Sequence, residues 1–159
     1  MVDTTIIVGI GNPFLGDDGV GVVVAERLSR RLADRSDVTV RECPVGGLRL
    51  AELLVGHHHA IIVDARVPGD DPPGTIHEGG LEGCIDSWHA SCAHDTNLPL
   101  ALRTLAGLGE PMPADICLIG IAAGHMDTFS EILSPAVAAA ASRVVDHLAE
   151  RLALAQEQP

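Results

Sequence analysis

Apolar residues follow two rhythms along this chain. Thr4–Val8, Ala60–Val63 and Asp115–Ala122 (DICLIGIA) are short, nearly continuous apolar runs bounded by turn residues. Runs of this kind predict strands buried on both faces, with Ala60–Val63 at the centre of the sheet. Val38–Cys43 (VTVREC) alternates apolar with polar and predicts a strand nearer an edge, while Thr75–Glu78 predicts a short one. The helical period appears from Val20 to about Leu32, from Leu48 to Leu54 and from about Leu98 to Leu108. A long amphipathic helix follows Ser134 at the N-cap and Pro135 at the first helical position, with a tail expected to fray after Ala155. Val67–Gly74 (VPGDDPPG) is turn-rich, and Gly79–Ala93 has neither period. That irregular stretch has the length of a binding loop, and Asp95 or Thr96 caps the helix after it. Strands alternating with helices predict one α/β domain over residues 1–159. Its sheet is mainly parallel and twisted, with about five strands between two helical layers.

Composition narrows the picture. Aromatic residues make up 2% of the chain and tyrosine is absent, so the core is built from Val, Ile, Leu and Ala, as suits such a sheet. A net charge of −12 with only 10 Lys and Arg opposes nucleic-acid binding, which needs clustered cations against phosphates. A basic peptide or a metal ion suits this surface better. Cys43, Cys84, Cys92 and Cys117 show neither CxxC spacing nor a disulfide-dense pattern. With no signal-like leader and no apolar run of bilayer length, the expectation is a cytoplasmic protein without a membrane partner.

Candidate chemistry starts at GIGNPFLGDDGVG, residues 9–21, where the first strand turns into the first helix. Asp17 and Asp18 stand at the helix start, and one of them is expected to cap it. The second is then free to face whatever lies above the strand end. Asp64 follows the central apolar run and is expected just past its carboxyl end. If the strand order begins 2-1-3, Asp18 and Asp64 share the crevice where the winding reverses. With His94 they form an oxygen and nitrogen set suited to nickel, zinc or manganese. A nucleophile at Cys92 or Ser91 beside His94 lacks the strand-turn-helix setting such a residue needs. Nucleotide binding is opposed by Phe14 at the place of the third glycine and by two aspartates that would repel a pyrophosphate. A non-catalytic metal-binding or docking module remains open. His57, His58 and His59 are neighbours whose side chains diverge, and they are expected in a solvated loop at a helix C-terminus. Cys43 and Cys117, in predicted strands, are expected as small buried hydrophobes.

Taken together and in order, GIGNPFLGDDGVG, IIVDA (Ile61–Ala65), HDTNLPLAL (His94–Leu102) and LIGIA (Leu118–Ala122) before SPAV make the chain resemble the hydrogenase maturation proteases. The resemblance implies a single α/β domain and an endopeptidase that removes a C-terminal extension from the large subunit precursor of a nickel-iron hydrogenase. It places metal contacts at Asp18, Asp64 and His94. Asp18 stands where the best-known members have the longer Glu. The nickel would be supplied by the substrate's own active site, with zinc or another divalent ion able to substitute, and cleavage would follow nickel insertion. The alternative is a metal-sensing chaperone or docking protein of the same fold.

Overall fold

The computed structural model describes residues 4–81 and 98–156. Among them, strands β1 (Thr5–Ile10), β2 (Val38–Cys43), β3 (His59–Arg66), β4 (Ile76–Gly80) and β5 (Asp115–Ala122) form one sheet in the order β2-β1-β3-β5-β4. Helices α1 (Val20–Arg31), α2 (Gly47–Leu54), α3 (Leu98–Gly107) and α4 (Pro135–Gln156) cover it. β1 pairs in parallel with β2 and with β3, and β3 pairs in parallel with β5. β4 runs antiparallel to β5. A parallel return needs a crossover of a dozen or more residues, and the turn-rich stretch between β3 and β4 is too short for one.

Period-two alternation sends each strand's side chains to opposite layers. On one face Ile7, Ile61, Val63, Ile119 and Ile121 pack with Val24 and Leu28 of α1 and with Val137, Val144 and Leu148 of α4. On the other, Ile6, Val8, Ile10, Ile62 and Leu118 pack with Leu50 and Leu54 of α2 and with Ala101 and Leu102 of α3. Burying a side chain such as Leu28 or Leu54 contributes about 1.5–3 kcal/mol, so both faces hold the sheet. This is the three-layer arrangement the alternation predicts.

The close approach of α1 to the sheet depends on Gly21. A Cβ there would lie 2.3 Å from the carbonyl oxygens of both Ile10 and Val63. The first turn of α1 therefore rests directly on the backbone of β1 and β3, at the point where the chain winds away in both directions.

Three sequence expectations need correction. Asp64 lies within β3, not just past its end, because it stays in register opposite Gly120 of β5. His59 opens β3 instead of sitting in a loop, held there by its register with Asp115 and Thr5. Gly79 and Gly80 belong to β4, through pairing with Leu118 and Cys117. The rest of the irregular stretch and the cap at Asp95 or Thr96 lie outside the described residues.

Candidate functional site

The β1–α1 turn is shaped by backbone constraints. Gly11 has φ 136°, and a Cβ on it would lie 1.9 Å from the Asp18 carbonyl oxygen. Only glycine permits that torsion and that contact together. Asn12 folds the turn further, its Oδ1 accepting the Phe14 N–H at 2.9 Å. Gly16–Gly19 form a 3-10 turn that leads into α1.

That extra turn puts both aspartates upstream of the helix start, and neither side chain caps it. The expected cap is therefore absent, and Asp17 does something else. Its Oδ2 accepts N–H donors from Gly124 at 2.8 Å and His125 at 3.1 Å, and the Ser134 hydroxyl at 2.9 Å. Its Oδ1 accepts the Ser134 N–H at 2.7 Å. Burial alone would raise the Asp17 pKa, but these donors outweigh it and hold the carboxyl below its ordinary value. Asp17 thus ties the loop between β5 and α4 to the β1–α1 turn.

Asp18 is turned the other way. Its Oδ2 accepts the Asn12 N–H at 2.8 Å, and its side chain is buried. Asp64 projects to the face carrying Ala60 and Ile62, opposite a residue without a side chain, Gly120. It is 1% exposed, and its Oδ1 accepts the Ala65 N–H at 2.8 Å. Burial first, and then the charge of Asp18, push the Asp64 carboxyl well above its ordinary value. Two of the three residues singled out from sequence therefore meet at the carboxyl ends of β1 and β3. This is the reversal of winding where open α/β sheets form sites.

His94 lies outside the described residues, as do Ser91 and Cys92. Among the described residues no group of three or more His, Cys, Asp or Glu side chains is arranged to hold a metal ion. His57, His58 and His59 lead into β3 at its amino end, away from Asp64. Cys43 and Cys117 are buried as expected. Burial raises both thiols, that of Cys117 to about 11, which leaves little thiolate for nucleophilic attack.

Sequence reasoning missed the role of Asp17, whose partners are mostly backbone amides 107 to 117 residues away. It also missed a charged cluster that begins two residues past Asp64 in the chain. Arg66, two residues on and on the same face, has its Nη1 3.3 Å from Asp71, whose Oδ2 lies 2.8 Å from His77 Nε2.

Two buried carboxylates in electrostatic contact, one favouring its neutral form, can do two things. They can hold a proton between them for acid and base work, or they can accept a divalent cation that removes their repulsion. The carboxylate oxygens of Asp18 and Asp64 are hard donors that fit the second role.

The chain is similar in sequence and fold to known proteins. The family model described as Hydrogenase maturation protease (HycI) matches residues 22–151, a span that begins just after Asp18 and includes Asp64. Hydrogenase 2 maturation protease of Escherichia coli (strain K12) is 31% identical over 71 residues, which cover 45% of this chain and 43% of that protein. The match thus spans less than half of that relative's length. Hydrogenase expression/formation protein HupD of Thiocapsa roseopersicina is 26% identical over 151 residues, covering 93% of this chain and 67% of that protein. The solved structure of the hydrogenase maturating endopeptidase HybD from E. coli superposes with a TM-score of 0.74 at 22% identity, covering 96% of this chain and 93% of that one. At that identity the likeness is one of fold.

Proposed function

The chain belongs to the hydrogenase maturation protease family, and from that premise we propose that it is an endopeptidase. It removes the C-terminal extension of a nickel-iron hydrogenase large subunit precursor after nickel insertion. The observation that carries this reading is the buried Asp18–Asp64 pair at the carboxyl ends of β1 and β3.

In this reading nickel arrives as part of the substrate. Asp18, Asp64 and His94 meet it, and zinc or another divalent ion can stand in. Before it arrives, Asp64 is held toward its protonated form by burial and by Asp18. A cation in the crevice would reverse that preference, so the Asp64 carboxyl would release its proton to solvent as the loaded precursor docks. The unloaded precursor offers no such compensation. Tenfold discrimination between the two takes only about 1.4 kcal/mol. Hydrolysis then proceeds with a carboxylate taking the proton of the attacking water, or with the scissile carbonyl polarised by the cation. Asp17 keeps the neighbouring loop in place by its four hydrogen bonds and stays out of the chemistry. The reading sets the reaction in the cytoplasm. Among the described residues no helix is long and apolar enough to cross a membrane.

The test is to incubate the purified chain with nickel-loaded and with unloaded precursor and to weigh the large subunit afterwards. Shortening at the C-terminus in the loaded sample alone is the expected result. Equal shortening of both removes the nickel checkpoint, and binding without any shortening favours a metal-sensing chaperone.

A further inference from the structure

The chain has two phenylalanines and no tyrosine, and neither phenylalanine enters the aliphatic core. Phe14 is 48% exposed and Phe129 is 80% exposed. Their rings stack on each other with centroids 6.2 Å apart and planes 6° from parallel. Ile132, three residues further along, is 79% exposed. Leaving a stacked pair of phenylalanines in water, with an exposed isoleucine on the same loop, sacrifices the burial such side chains ordinarily gain, and exposed apolar groups gathered in this way point to a contact surface.

The pair is also fixed in place. Phe14 belongs to the turn that carries Asp18, and Phe129 to the loop between β5 and α4. Gly16 N–H donates to the Ser130 carbonyl at 2.7 Å, and Ser130 N–H donates to the Phe14 carbonyl at 2.9 Å. The Asp17 carboxylate clamps the same two segments. A rigid aromatic pair loses little freedom when something binds it.

Charge says what that something is. Neither residues 9–21 nor residues 123–134 contain a lysine or arginine, while Asp127 and Glu131 flank Phe129 and are exposed. Neither carboxylate is in an ion pair among the described residues. Ring faces and carboxylates both attract cations, and an arginine or lysine laid over a ring with an acid beside it satisfies both.

We propose that Phe14, Phe129 and Ile132, with Asp127 and Glu131, form a docking surface for a peptide segment that is both basic and apolar. The segment is carried by the precursor and lies away from the bond that is cut. The surface shares the β1–α1 turn with Asp18, and Asp17 of the same turn holds the loop that carries Phe129. The identity of the protein carrying the segment rests on the function proposed above, whereas the binding chemistry does not.

Because there are only two phenylalanines, ring-labelled protein gives two sets of aromatic signals that report on this surface directly. On titration with a hexapeptide of alternating leucine and arginine, both sets shift. With the leucine–glutamate counterpart they do not. Asp127→Asn combined with Glu131→Gln weakens the arginine peptide by about threefold to tenfold. Phe129→Ser, at an exposed position, raises KM for the nickel-loaded precursor by a similar factor and leaves kcat unchanged. Ring signals indifferent to both peptides, or equally responsive to both, overturn the proposal. Signals that move on dilution of the chain alone assign the surface to a second copy and overturn it too. An unchanged KM removes the precursor as the partner. Shifted rings without any shortening of precursor keep the docking surface and remove the protease reading.

Discussion

Four donors converge on the Asp17 carboxylate, from Gly124, from His125 and from both the N–H and the hydroxyl of Ser134. An asparagine there must turn an NH2 toward N–H groups on one side, leaving buried donors unmatched. Asp17→Asn is accordingly expected to lower unfolding free energy by about 2–3 kcal/mol, read from denaturant unfolding at neutral pH. The pH dependence follows from the direction of its shift. The folded pKa lies below the ordinary 3.8, so this stability is present above 3.8 and is lost as pH falls through the folded value. The gap between wild type and Asp17→Asn should therefore close in strong acid, and a constant gap would count against the assignment. Asp64 tilts the other way. Its folded pKa is raised, so its contribution is fully present below the ordinary 3.8 and is lost as pH rises through the folded value. Asp18 and Asp64 were legible as a pair because each closely follows an apolar run and the strands those runs form, β1 and β3, are parallel neighbours, although Asp64 proved to lie inside β3. Asp17 was not, since backbone amides more than a hundred residues away leave no mark on the letters. The stacking of Phe14 on Phe129 was hidden for a similar reason, because it depends on how two loops meet.

At the scale of elements, the contact of α1 with β1 and β3 sets the position of the site. Gly21 to alanine would gain helix propensity worth about 1 kcal/mol in isolation. Here its Cβ would meet two carbonyl oxygens at 2.3 Å, and backbone atoms do not move aside as a flexible side chain would. Gly21→Ala is expected to destabilise by about 3 kcal/mol and to displace the β1–α1 turn. Thermal unfolding checks the first effect, and loss of precursor processing in the remaining folded protein checks the second. A variant as stable and active as wild type would show that α1 can lift from the sheet without consequence. The strands β1, β3 and β5 were readable because they are buried on both faces and so spell continuous apolar runs. The length of β3 was not, because Asp64 interrupts the run while its backbone stays in register with Gly120. The direction of β4 was not either: its sequence, IHEGG, carries little pattern, and the short connection from β3 decides it.

Across the whole molecule, charge and fold point to the same end of the sheet. A chain of net charge −12 gathers two buried carboxylates at the reversal of winding and leaves a rigid aromatic pair and two exposed acids on the loops around them. On the two proposals above a cation is favoured twice, once by the buried pair and once by the loop surface, and a partner presenting both a metal ion and a basic segment would be held at two points. In the proposed function the buried pair is the part that takes part in bond cleavage. The variant Asp64→Asn isolates it, since an amide keeps the shape and removes a charge that burial and Asp18 already disfavour. At neutral pH its melting temperature should equal or exceed that of wild type. The decisive measurement is the mass of nickel-loaded precursor after incubation with each protein. Wild type should yield the C-terminally shortened subunit while folded Asp64→Asn leaves the precursor intact, and shortening by the variant at a rate comparable to wild type would contradict the account.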